Sequence, residues 1–147
     1  MDNIVRSQRG YSSDIMVGTG ELKTAVENKL VELNLTDSVR MIERIPNSEI
    51  WGLYRLADSF VNLNQQEIFG MAILEAMYYG CKVVAWNAPG PNLIIESGKS
   101  GWLADSNGGV IEGILDEADV GVESHNRVLC DFTWEISARK ILSIVGE

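Results

Sequence analysis

Asp58-Ser-Phe-Val-Asn-Leu63, then Glu67-Ile-Phe-Gly-Met-Ala-Ile-Leu-Glu75 running on into Ala76-Met-Tyr-Tyr-Gly80, then Lys82-Val-Val-Ala85, is the stretch that decides the fold. The first and last pieces are short and rich in strand formers. Between them Ala72, Ile73, Leu74, Ala76 and Met77 are mostly good helix formers, and Gly80 stands where a glycine just past a helix end belongs. Strand, loop, helix, strand is a βαβ unit. Its first loop lies at the carboxyl edge of the sheet, where open α/β proteins bind ligands. Glu67 falls on that loop. Phe69, Gly70, Met71 and Ala72 supply the unpaired N–H groups of a helix start, which attract anions such as phosphate. Glu75 lies about one and a half turns further along and is expected to reach the same crevice. A single loop or helix glutamate is ordinarily solvated; their common placement around one helix start marks this pair. Spacing alone names no chemistry.

Outward from that unit the same alternation continues. Asp14-Ile-Met-Val17 reads as a strand ending in Gly18-Thr-Gly20, and Leu22, Ala25, Val26, Lys29, Leu30 and Leu33 follow a helical period. Val39-Arg-Met-Ile42 is the next strand. A helix opens at Pro46-Asn-Ser48, with Asn47 or Ser48 as its cap. Beyond Ala85, Asn87-Ala-Pro-Gly-Pro-Asn92 reads as a turn. Leu93-Ile-Ile-Glu96 is a short helix or extended piece, and Gly101-Trp-Leu-Ala104 a last strand. A weak helix follows around Val110 to Glu117. Thr133 caps a closing helix that carries Trp134, Ala138, Ile141 and Val145 on one stripe. Such alternation predicts an α/β fold in three layers, a mostly parallel Rossmann-like sheet with helices on both faces. Residues 1–147 read as a single domain, with 1–13 irregular or a partial strand.

Composition narrows the function classes. The chain has 147 residues, enough for one core, with ordinary hydrophobic (46%) and charged (22%) content. Its net charge of −9 argues against extensive nucleic-acid contact, which needs a basic face. No apolar run reaches the roughly 20 residues of a membrane helix. Met1-Asp-Asn-Ile-Val-Arg6 lacks the apolar core of a secretory signal. Cys81 and Cys130 show no metal-ligand spacing, and His125 is the one histidine. A zinc site is therefore not expected, no metal or cofactor is expected at all, and a cytoplasmic location with reduced thiols is. Cys81 reads as a small buried residue. Gly18-Thr-Gly20 is not a dinucleotide fingerprint, because Glu21-Leu-Lys23 breaks it. A tight turn needing positive φ explains it as well as a ligand contact does.

The ordered pieces Ile15-Met-Val-Gly-Thr-Gly20, Leu35 to Ile42, Ile45-Pro-Asn-Ser-Glu-Ile50, Ala57 to Val61, Glu67 to Met77, Gly80 to Val84, Gly90-Pro91, Ser97 to Leu103 and Phe132-Thr-Trp134 resemble one family. It is the retaining family-4 (group 1) glycosyltransferases, and the likeness is to the C-terminal, donor-binding half of their GT-B fold. The resemblance implies transfer of a sugar from a nucleotide diphosphate sugar to an acceptor hydroxyl with retained configuration, in reactions such as polysaccharide biosynthesis, with no metal required. It implies that Glu67 faces the donor sugar near the reacting carbon and that Glu75 accepts hydrogen bonds from the ribose diol. The N–H groups near Phe69, Gly70, Met71 and Ala72 would face the diphosphate, and Gly18 and Gly20 the donor. Oriented N–H dipoles suit a leaving group that gathers negative charge. Ile68, Leu63-Asn64, Glu43 and Leu93 depart from residues frequent in the family.

One larger departure shapes the expectations. The family's C-terminal half opens with a strand, an Arg and a Lys that hold the diphosphate, and a helix. Here 13 residues precede Asp14, and Arg6 and Arg9 have no such unit around them. The chain is thus expected to be part of an enzyme, inactive alone, whose partners are the nucleotide-sugar donor and either the missing N-terminal half or a second copy of itself. The sheet is expected to lack a strand between those at Ile15 and Phe60, so that the chain self-associates or rearranges its sheet. The rival class is a non-catalytic interaction or assembly module on the same fold. An epimerase of that fold would depend on other histidines and acids, and His125 is expected in a loop.

Overall fold

A computed structural model describes residues 3–6, as backbone, and residues 14–146. The strands are β1 (Asn3–Arg6), β2 (Asp14–Val17), β3 (Val39–Ile42), β4 (Ser59–Asn62), β5 (Lys82–Trp86) and β6 (Trp102–Ala104). The helices are α1 (Lys23–Glu32), α2 (Asn47–Leu56), α3 (Met71–Tyr78), α4 (Pro89–Ile94), α5 (Asn107–Leu115), α6 (Gly121–Asp131) and α7 (Trp134–Val145). One six-stranded sheet has the order β3-β2-β1-β4-β5-β6. β2 and β3 pair parallel, as do β4 with β5 and β5 with β6. The strands expected at Asp14, Val39, Phe60 and Lys82 all form, and the sheet is mostly parallel.

β1 is the exception. It runs antiparallel to both of its neighbours, with Ile4 opposite Met16 on one side and Val61 on the other. The expected gap between the Ile15 and Phe60 strands is therefore closed within one chain. An antiparallel return needs only a short connection, whereas a parallel one needs a crossover of a dozen or more residues. The stretch 7–13 is long enough for the first and too short for the second. Because β1 reverses twice, β2 and β4 still point the same way, and five strands share one carboxyl edge. At that edge the backbone of Asn3 lies beside Asn62; Arg6 lies at the other edge, beside Ser59 and Asp14.

The core is centred on β4 and β5. Alternating residues divide between the two faces. Phe60, Val83 and Ala85 pack with Tyr54, Ile73, Met77, Ile94 and Val128 on one face. Val61, Val84 and Ala104 meet Val110 on the other, with Trp86 and Trp102 against them. Phe60, Ile73 and Met77 are fully buried, and each such side chain contributes about 1.5–3 kcal/mol. The other half of the sheet is thinner. No residue of α1 is buried, and of the expected stripe only Val26 and Leu30 are even half-buried.

α3 forms where expected. Gly70 precedes it at φ +97° and Gly80 follows it at φ +74°. Gly80 N–H bonds to Met77 O and Cys81 N–H to Ala76 O, each at 3.0 Å, the paired bonds of a glycine-closed helix end. A Cβ on Gly70 would stand 2.9 Å from Ile73 Cδ1.

Three details differ from expectation, and a fourth, at α7, adds to it. α2 starts at Asn47, capped by Pro46 with no side-chain bond. Pro89-Gly-Pro-Asn92 is not a turn but the start of α4, because a proline at the first helical positions has its φ already set. His125 is on helix α6, not in a loop. Thr133 does cap α7, accepting from Ile136 N–H, yet the stripe faces outward: Trp134 is 89% exposed and Val145 74%. Only Ile136 and Ser137 of α7 are half-buried.

Two outcomes follow. Val5→Pro removes a ladder donor from a central strand, and is expected to lower the urea midpoint and promote association through the freed edges of β2 and β4. An unchanged midpoint would contradict β1. Gly70→Ala forces a side chain into a left-handed conformation and is expected to cost about 1–3 kcal/mol, read as a lower urea midpoint at constant slope; wild-type stability would contradict the left-handed start of α3.

Candidate functional site

The carboxyl ends of β2 and β4 deliver the residues singled out in the sequence. Gly18, at φ +147°, follows β2 and donates its N–H to Ile42 O at 2.9 Å. That turn accounts for a glycine there. A Cβ on Gly20 would meet open space, so the fold itself does not require glycine at that position.

After β4 the chain turns through a relay of asparagines. Asn62 is buried, and its Oδ1 accepts from Asn64 N–H at 2.9 Å; Asn64 Oδ1 accepts from Gln66 N–H at 3.0 Å. Such side-chain turns hold a loop in place of backbone pairing. They bring the Nδ2 groups of Asn62 and Asn64 each to 3.5 Å from Glu67 Oε2. The half-buried Glu67 is thus drawn toward the strand end, and its backbone O accepts from Gly90 N–H at 2.9 Å. A Cβ on Gly90 would stand 2.4 Å from Phe69 O. Only glycine lets α4 approach this loop so closely.

α3 begins directly beyond. Its first intrahelical bond is Ile73 N–H to Gly70 O, so the N–H groups of Met71 and Ala72 precede the ladder. Phe69 is 44% exposed and Met71 60%. Glu75, one turn on, is exposed and its Oε2 accepts from Tyr54 O–H at 3.2 Å. Burial, then the nearby charge of Glu75, pushes the Tyr54 hydroxyl above its ordinary range, so it stays protonated and donates. Phe69, Met71, Glu75, Tyr78, Tyr79 and Trp134 line a groove of about 480 Å³. Glu67 and Gly70 are not among its walls. The structure therefore gathers Phe69, Met71 and Glu75 on one groove, with Glu67 held separately by the asparagine relay.

Three positioning residues were not singled out in the sequence. Tyr54 fell within the helix that opens at Pro46, Asn62 near a strand end, and Gly90 in the expected turn. The Asn-x-Asn spacing of the relay was the one available signal. Cys81 is buried as expected; burial, then the charge of Asp58, pushes its thiol up to about 12, which keeps it unreactive. Among the described residues no cluster of His, Cys, Asp or Glu is arranged to hold a metal ion. No helix among them is long and apolar enough to cross a membrane. Arg6 belongs to the opposite edge of the sheet, and Arg9 lies outside the described residues.

Comparison with known proteins gives a consistent picture. The family described as "Glycosyl transferases group 1" matches residues 13–117. A D-inositol 3-phosphate glycosyltransferase of Corynebacterium diphtheriae is 27% identical over 124 residues, 78% of this chain and 29% of its own length. Sucrose-phosphate synthase of Thermosynechococcus elongatus superposes with a TM-score of 0.77 at 23% identity, over 89% of this chain and 37% of that one. Anabaena HepE, solved in complex with UDP and glucose, superposes at 0.76 with 21% identity, over 90% of this chain and 40% of that one. The chain thus spans well under half the length of these relatives. Its parallel strands alternating with helices match the C-terminal GT-B domain, and the chain belongs to the group 1 glycosyltransferases.

Proposed function

We propose that this chain is the donor-nucleotide-sugar-binding segment of a retaining glycosyltransferase, which moves a sugar from a nucleotide diphosphate sugar to an acceptor hydroxyl. The observation that supports the reading is that Glu67 lies on the loop after β4, drawn to the strand end by Asn62 and Asn64, while Glu75 lies on α3, the helix into which that loop leads. HepE, which superposes on the chain, was solved with UDP and glucose, and this supports a nucleotide as the ligand. In this reading Glu75 accepts hydrogen bonds from the ribose diol, and Glu67 meets hydroxyls of the donor sugar beside the reacting carbon. The N–H groups of Gly70, Met71 and Ala72 face the diphosphate, with Phe69 closing one side and Gly18 and Gly20 bordering the donor from β2. As the bond between sugar and diphosphate breaks, negative charge gathers on the leaving oxygens, and fixed N–H dipoles stabilise it without reorganising.

The acceptor site is assigned to a second half, either a separate polypeptide or sequence continuous with this one, and a second copy of the chain is the alternative partner. One observation favours a different reading, a non-catalytic interaction or assembly module. β1 lies between β2 and β4, where the family resemblance implies a strand followed by cationic diphosphate anchors, and its antiparallel direction carries Arg6 to the opposite edge. Charge-assisted bonds to phosphate are among the stronger polar contacts. Titration of the chain with UDP-glucose and GDP-mannose by calorimetry separates the readings, because a module that has lost the chemistry has no reason to bind either.

The purified chain is expected to show no sugar transfer and to bind its donor no more tightly than about 1 mM, a free energy near −4 kcal/mol. Measured turnover would refute this. In a complete enzyme carrying the segment, Glu75→Ala is expected to weaken donor binding by about 1–3 kcal/mol. Glu67→Ala is expected to lower kcat more than it raises KM, because its contact lies near the developing charge. Equal effects confined to KM from both substitutions would contradict these roles.

A further inference from the structure

We propose that Tyr54 is a positioning residue for the nucleotide: its hydroxyl holds Glu75 Oε2 so that the carboxylate is set to receive the ribose diol. The inference rests on the role proposed above for Glu75. Glu75 is exposed on α3 and by itself would sample many rotamers. The one hydrogen bond of its side chain among the described residues comes from Tyr54 O–H, at 3.2 Å. Tyr54 is on a different helix and is only 3% exposed. Its ring is fixed on two sides, edge-on to Phe60 at 5.6 Å and 78°, and stacked on Tyr79 at 6.3 Å and 15°. Phe60 belongs to the fully buried core of β4. The donor O–H is therefore anchored through the ring to the least movable part of the molecule. A carboxylate has two oxygens. With Oε2 taken by the phenol, Oε1 has no protein hydrogen-bond partner among the described residues, and Glu75 is a residue of the groove on the same helix as the first-turn N–H groups. Tyr79, which stacks on Tyr54, is itself a groove residue, so the aromatic pair ties the shape of the groove to the orientation of the carboxylate.

A purely structural explanation also exists: a buried tyrosine hydroxyl needs some partner, and Glu75 supplies it. The two explanations differ in what Tyr54→Phe does. That change keeps the ring, the stack and the edge contact and removes only the hydrogen bond. The test uses the whole chain and ligand-observed NMR with UDP, GDP and ADP, each beside its 2′,3′-dideoxy counterpart, which lacks the diol. Wild type is expected to prefer the ribose form of the nucleotide it binds best by roughly tenfold, the scale of hydrogen bonds to a charged group. Tyr54→Phe is expected to bring that preference close to one, with circular dichroism and thermal midpoint near those of wild type. Glu75→Ala is expected to abolish the preference, and adding Tyr54→Phe to it is expected to change nothing more, as for two residues acting through one contact. If wild type and Tyr54→Phe discriminate equally, Tyr54 does not position Glu75, while the reading of Glu75 stands. If wild type binds none of the three nucleotides, or binds without preferring the ribose form, the reading of Glu75 falls and this inference with it. If Tyr54→Phe unfolds, the comparison of Glu75→Ala with Glu75→Gln decides. Glu75→Gln still accepts from Tyr54 and is expected to keep at least a threefold ribose preference; equal loss in both overturns the inference.

Discussion

Everything in this molecule depends on how β2 and β4 are joined. Both have a full row of backbone N–H and C=O groups on the side where they face each other, and in a protein interior such groups must be paired. β1 pairs both rows at once, running antiparallel to each. Two reversals cancel, so β2 and β4 remain co-directional and their carboxyl ends open on the same edge. Were β1 antiparallel to only one of them, Gly18 and Glu67 would belong to opposite edges. The reversal also has a chemical consequence. A parallel strand in that position would end at the ligand edge and could pass a cationic loop across it; β1 instead has its first residue there and Arg6 at the far edge.

The lopsided core follows from the same arrangement. Helices α2, α3, α4 and α6 bury one face of β4 and β5, and α5 buries the other. Over β2 and β3 the layer is thinner, and α1 has no buried residue. The site lies on the well-packed half. The asparagine relay hangs from the end of β4, and Tyr54 is braced by Phe60 of the same strand. Two carboxylates on adjacent elements are thus held by different devices, one by amide side chains of its own loop and one by a phenol from another helix. Such division suits the two separate tasks proposed for them, one near the sugar and one at the ribose.

Much of this was legible in the sequence, for reasons particular to each element. The strands at Asp14, Val39, Phe60 and Lys82 are short β-branched or aromatic runs with glycine, proline or polar residues at their ends, and α3 is framed by two glycines that both take positive φ. β1 was only half legible. Asn3-Ile-Val5 has strand character, but its direction is set by the length of the stretch that follows and by the needs of β2 and β4, which no local pattern carries. α6 was missed because it opens on Gly121 and its buried residues, Ser124 and Val128, do not form an apolar stripe. The α7 stripe was read correctly as a pattern, and its outward face was not legible, since periodicity reports a helix and not what covers it. Glu67, Glu75 and the residues at the start of α3 could be named from their order along the chain. Tyr54 could not, because its bond to Glu75 joins residues 21 apart that only packing brings together.

The account stands or falls on the direction of β1. Cross-strand nuclear Overhauser contacts in a labelled sample test it directly. An antiparallel β1 brings the backbones of directly opposed residues close together in alternating pairs, so contacts are predicted along the series Ile4–Met16 and Val5–Ile15 on one side and Ile4–Val61 and Val5–Phe60 on the other. Contacts running directly between β2 and β4, or the evenly slanted pattern of a parallel strand at residues 3–6, would contradict it.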